Sequence, residues 1–121
     1  VGKESDSKAG VCDDNMYDYE SFLGIDLSMD KKARILTRYS GSSHAMLIMA
    51  CDTDENDKPV KWQFENSWGP ASGVGGYLTF TDKWFDEYMF RIVINKKYLN
   101  AKAIEAAKQT PIMLPAWDYM W

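Results

Sequence analysis

The sequence predicts an α+β fold: a twisted antiparallel sheet, part of a barrel, flanked by short helices. Two observations carry this. An apolar run, His44–Cys51 ("HAMLIMAC"), and an alternating run, Val60–Asn66 ("VKWQFEN"), flank the turn-rich stretch Asp52–Lys58 ("DTDENDK"). Strands that follow one another across a tight turn pair antiparallel. Around them, Ser28, Thr81 and Asn100 each stand where a residue with a side-chain acceptor opens a short helix.

Residues 1–15 are polar and read as loop, and Met16–Leu27 as an irregular arm mixing aromatic and acidic residues. Ser28 is expected to cap a helix over Asp30–Thr37, with Asp30 at the positive end of its dipole and Gly41 beyond its end. His44–Cys51 is continuously apolar after its His, as a strand buried on both faces would be. Val60–Asn66 places Val60, Trp62, Phe64 and Asn66 on one face and Lys61, Gln63 and Glu65 on the other. Gly69–Gly76 reads as a flexible loop and Gly76–Thr81 as a third strand. Thr81 caps a helical turn through Tyr88, and Met89–Asn95 ("MFRIVIN") reads as a fourth strand. Asn100 caps a helix to Gln109. Pro111 and Pro115 then hold an extended tail.

A chain of 121 residues is long enough to bury a core as one domain. Its net charge of −4 gives no electrostatic reason to expect nucleic acid or an anionic membrane as partner. No apolar run approaches the roughly 20 residues of a bilayer span. The start, Val1-Gly2-Lys3, reads as the middle of a longer chain. Two cysteines are too few for a disulfide scaffold and are expected as free thiols. Cys51 ends an apolar run and is expected in the core. Cys12 precedes Asp13 and Asp14, whose charges would raise its pKa and make it a poor nucleophile.

Chemistry concentrates at the hairpin's open end. A turn symmetric about Glu55 would set His44 opposite Asn66, Met46 opposite Phe64, Ile48 opposite Trp62 and Ala50 opposite Val60. Opposed residues share a face with Cβ atoms about 4.5–5.5 Å apart. Asn66 could then accept a hydrogen bond from the imidazole, orienting it without adding charge. That suits a His sharing a proton with a thiol. Trp68 could cover the contact and exclude water. The bland alternative is a non-catalytic β-rich interaction module whose His–Asn pair is only structural.

Two other patterns are weaker. Asp52, Asp54 and Asn56 imitate the start of a calcium loop, but Asp57 replaces its glycine and Gln63 its terminal Glu. A solvated turn is the better reading, and no metal or cofactor is expected. The Gly69–Gly76 run lacks the Lys-Ser/Thr of a phosphate loop and reads as a mobile loop near the His–Asn pair.

Ser43-His44-Ala45-Met46, "WQFENSWG" and "GGYLTFTD" resemble the His and Asn region of papain-like cysteine peptidases. "TDKWFDEYMFRIVINKKYL" followed by "PIMLPAWD" is similar to the C-terminal part of the bleomycin hydrolase/aminopeptidase C family. "YDYESFLGIDLSMDKKAR" is similar to the segment preceding the catalytic His there. The resemblance runs from about Tyr17 onward and implies the β-rich C-terminal half of a papain-like fold over residues 1–121. It implies His44 as general base and acid, Asn66 as its orienting partner and Trp68 as the shield. The nucleophilic Cys and the oxyanion-hole Gln would lie upstream, so this chain alone is expected to be inactive. It also implies aminopeptidase activity on peptide substrates, a homo-hexamer with an inner cavity, and a cytoplasmic location. The C-terminal arm, residues 111–121, would lie in the active-site cleft. Its end, Tyr119-Met120-Trp121, departs from the family's run, and the Trp121 carboxylate is a candidate anchor for a substrate α-amino group.

Overall fold

The computed structural model describes residues 5–120. Five strands, β1 (Ser5–Asp6), β2 (Val11–Cys12), β3 (Leu47–Thr53), β4 (Pro59–Glu65) and β5 (Tyr77–Thr81), form one sheet in the order β1-β2-β5-β4-β3. β3, β4 and β5 pair antiparallel, while β2 joins β5 in parallel, so the sheet is mixed. The helices are α1 (Tyr19–Leu23), α2 (Lys31–Leu36), α3 (Asp82–Tyr88) and α4 (Ala101–Ala106), with a 3-10 turn at Lys96–Tyr98. The α+β class holds. Among the described residues no helix is long and apolar enough to cross a membrane.

The core lies where β4 and β5 meet β2 and α3: Cys12, Phe64, Leu78, Phe80 and Trp84 are buried. Period-two alternation puts Phe64 of β4 and Leu78 and Phe80 of β5 on this face. Phe64 meets Phe80 edge-on at 4.6 Å, and Trp84 tilts against Phe80 at 4.5 Å. Such ring geometry adds about 1 kcal/mol per pair beyond area burial. Thr81 caps α3 as expected, its hydroxyl accepting from the Trp84 N–H. The cap sends the chain straight from β5 into a helix that folds back over the sheet, where Phe85 stacks on Trp62 at 4.3 Å.

Several expectations are corrected. α2 is capped by Asp30, whose carboxylate accepts the Ala33 N–H, rather than by Ser28, whose own N–H is held by Asp26. The polar N-terminal stretch supplies β1 and β2, because Cys12 can fill the core beside Phe80. Tyr19–Leu23 within the expected arm is a helix, capped by Asp18 and stopped by Gly24 at φ 66°. β3 starts at Leu47, not His44, and is an edge strand with most of its side chains exposed. Cys51 is therefore exposed rather than in the core. Met89–Asn95 forms no strand: no described segment pairs with it, and Val93 is fully exposed at 102%. The apolar run there gives strand character, but a strand needs a ladder partner.

Candidate active site

β4 delivers Asn66. Its alternation turns Phe64 and Asn66 inward, and Asn66 keeps only 7% of its surface exposed. One residue past the end of β4, the Asn66 N–H pairs with the Gly76 carbonyl at 3.0 Å, in step with the β4–β5 register, and so holds the end of the Gly69–Gly76 segment beside it. This segment is a series of tight turns rather than a free loop. Gly73 donates to the Ser7 carbonyl at 2.8 Å, and Gly76 to that of Ser72 at 2.9 Å. Gly73 has φ 62°, and a Cβ there would stand 2.2 Å from the Tyr77 carbonyl oxygen. Only glycine fits.

His44 lies just before β3, on the exposed connection from α2. Its Nε2 is 2.9 Å from Asn66 Oδ1. The same oxygen accepts the Ser67 backbone N–H at 2.8 Å. A backbone N–H can only donate, so the atom it meets must be the amide oxygen. That oxygen can only accept, so Nε2 carries the ring proton. In the neutral ring, Nδ1 then holds the lone pair. Asn66 thus fixes the tautomer, and Ser67 fixes Asn66. Asn66 Nδ2 is buried with no partner among the described residues.

Trp68 stacks on the imidazole with centroids 5.2 Å apart and planes 25° apart. It shields one ring face while remaining 53% exposed itself. The hairpin register differs from the symmetric expectation by two residues: Leu47 pairs with Glu65 and Ile48 with Phe64. A shift of two preserves which face each side chain takes. Irregularities between Ile48 and Ala50 and between Asp52 and Thr53 then change the pairing toward the turn, so Cys51 rather than Ile48 faces Trp62.

His44, Asn66 and Trp68 come together; the cysteines do not join them. Cys12 is fully buried on β2, and burial pushes its thiol up to about 11. The expected charges are not the cause: the Asp14 carboxylate is paired with Lys83 instead. Cys51 lies down β3, and the strand from Leu47 to Cys51 alone spans about 13 Å. Its Sγ contacts the Asp52 carbonyl. At the turn, Asp54 Oδ1 accepts the Asn56 and Lys58 N–H groups at 2.8 and 2.9 Å, so that oxygen is occupied by the backbone. Backbone donors lower the Asp54 pKa, the Lys58 N–H foremost. Among the described residues no group of three potential ligands gathers for a metal ion. Trp121 lies outside the described residues.

One contributor escapes sequence reasoning. The Ser67 N–H that pins Asn66 belongs to the backbone, and any residue but proline would supply it. No residue type could have announced it.

The model of the Peptidase C1-like family matches residues 1–121. Bleomycin hydrolase of Mus musculus is 42% identical over 123 aligned residues. Aminopeptidase C of Streptococcus thermophilus is 38% identical over 120. The crystal structure of PepW from Lactobacillus rhamnosis HN001 superposes with a TM-score of 0.87 at 37% identity. Each alignment covers 99% of this chain and 27% of the relative, so the chain spans about a quarter of their length. The chain belongs to the Peptidase C1-like family.

Proposed function

We propose that this chain supplies the proton-handling side of a cysteine aminopeptidase site, with the nucleophilic Cys upstream in the same protein. The observation that carries the reading is the shared Asn66 oxygen. Holding the His44 proton on Nε2 leaves Nδ1 as the base.

The chemistry follows from that lone pair. Nδ1 takes the proton of the upstream thiol, giving a thiolate–imidazolium pair. The thiolate attacks the peptide carbonyl carbon. The C–N bond then breaks as the imidazolium returns its proton to the leaving amine, and a thioester remains. Nδ1 next deprotonates a water, whose oxygen attacks the thioester. The acid leaves, and the proton restores the thiol. Asn66 keeps the ring aimed through both half-reactions, and Trp68 keeps water off one face.

Three further observations favour this reading over a purely structural pair. The two local thiols are unsuitable, one buried and one remote along β3. Large apolar side chains stand exposed, among them Phe22, Val93 and Ile112, as expected of surface that a Cys-bearing upstream part would cover. The tail also turns back toward the His-bearing connection: Arg38 donates to the Trp117 carbonyl at 3.5 Å and its guanidinium lies 5.7 Å from the Tyr119 ring. An arm so placed would border the cleft and limit substrates to chain ends. The relatives' names, bleomycin hydrolase and aminopeptidase C, agree with acyl transfer from peptides.

The test is turnover of an aminoacyl reporter by the complete protein and its His44→Ala variant. The proposal expects about a 10³-fold loss or more with the melting temperature nearly unchanged. Full turnover by the variant would make the His–Asn pair structural only.

A further inference from the structure

We infer that Arg34 is a positioning residue for His44, tying the His-bearing segment to the sheet that carries Asn66. This rests on the proposed catalytic role of His44, but the geometry behind it is independent.

His44 and Asn66 reach their contact from different parts of the fold. Asn66 ends β4, and β4 pairs with β5 over Lys61–Glu65. β5 runs through the Thr81 cap into α3, which returns over β4 with Trp84 buried and Phe85 stacked on Trp62. α3 is therefore fixed relative to Asn66. His44 precedes the first ladder residue of β3, so the sheet holds its segment only from Leu47 onward. What holds the other side is α2.

Apolar packing fastens α2 weakly: its only buried residue is a cation, Arg34, at 6% exposure. Arg34 Nη2 donates to the Glu87 carbonyl at 2.9 Å and to Glu87 Oε2 at 2.6 Å. Nη1 donates to the Met29 carbonyl at 2.6 Å, and the guanidinium lies 4.4 Å from the Tyr88 ring centre. Lys31 adds contacts to the Asp86 and Met89 carbonyls at the end of α3. A planar fork that engages two carbonyls and a carboxylate fixes orientation as well as distance, which an ammonium cannot do.

The main chain of the same residue directs the exit toward His44. The Arg34 carbonyl accepts the Tyr39 N–H at 2.8 Å and the Ser40 N–H at 3.3 Å. Arg38 takes φ 58° to make that turn. One residue thus anchors α2 to α3 by its side chain and starts the connection to His44 by its carbonyl. Loosening the clamp frees the imidazole to move against Asn66, and a displacement near 1 Å costs on the order of 10²-fold in rate.

The test uses the complete protein with Arg34→Met, Arg34→Lys and Glu87→Gln. Crystal structures read the His44 Nε2 to Asn66 Oδ1 distance, and kinetics on an aminoacyl reporter separate kcat from KM. Arg34→Met is expected to lengthen that contact beyond about 3.5 Å and to lower kcat by about 10- to 100-fold with KM little changed. Arg34→Lys should recover only part of the loss. If Arg34→Met does not fold, Glu87→Gln, which keeps a neutral acceptor, should lower kcat in the same way to a smaller degree. Folded variants with the contact at its original length and kcat intact overturn the inference, even if they melt earlier. Should His44→Ala leave turnover untouched, the catalytic reading fails, while the crystallographic distance still decides the positioning role.

Discussion

His44 and Asn66 are hydrogen-bonded at 2.9 Å although they are not cross-strand partners. Extending the observed register of β3 and β4 sets Met46, not His44, opposite Asn66. The contact forms because His44 precedes the strand and can fold across its end. Asn66, inward-facing and pinned by the Ser67 N–H, offers its oxygen there.

A charge at position 66 would change the site's pH response. In Asn66→Asp a carboxylate replaces the amide oxygen, which keeps the acceptor and adds an opposite charge beside the ring. An opposite charge beside the ring favours its charged form. The alkaline limb of the kcat/KM profile of the complete protein should move to higher pH. An unmoved limb would mean that His44 is not the titrating group.

Glycines 73 and 75 should respond differently to one added methyl. Both have positive φ, 62° and 64°, so alanine at either carries about 1–2 kcal/mol of backbone strain. At Gly75 nothing lies within 4 Å of the new Cβ, whereas at Gly73 it would meet the Tyr77 carbonyl oxygen at 2.2 Å. Gly73→Ala should therefore cost about 1–3 kcal/mol more than Gly75→Ala in urea denaturation. Equal losses would contradict the tight turn that places Gly76 against Asn66.

The buried thiol predicts an alkaline loss of stability. Burial raises the Cys12 pKa from 9.0 to about 11. The unfolded chain releases this proton first, so the contribution is complete below pH 9.0 and declines as pH rises toward 11. Urea midpoints measured across this window should fall less in Cys12→Ala than in the parent. Parallel declines would show that the thiol is not shielded.

Much of the fold was legible because local signals and tertiary packing agreed. Thr81 and Asn100 cap the expected helices, and the alternation of β4 gave the right face to Phe64 and Asn66. The His–Asn–Trp cluster was legible because the hairpin brings the entry to β3 beside the end of β4, although the contact itself forms outside the ladder. What failed depended on partners. "MFRIVIN" has strand character but no ladder neighbour among the described residues. Cys51 follows an apolar run that this chain leaves exposed on an edge strand. β1 and β2 are two residues each, too short for any periodicity, and exist because β5 offers β2 a free edge.

The central claim is that Asn66 holds His44 with its proton on Nε2, leaving Nδ1 to act as base. The chain contains a single histidine, so ¹⁵N-histidine labelling yields one ring spectrum without assignment by mutation. Two-bond ¹⁵N–¹H couplings at a pH where the ring is neutral identify the protonated nitrogen. The account predicts the Nε2–H tautomer, with the Nε2 proton protected from exchange with water and that protection lost in Asn66→Ala. A dominant Nδ1–H tautomer would set an imidazole lone pair against the Asn66 oxygen and would contradict the account.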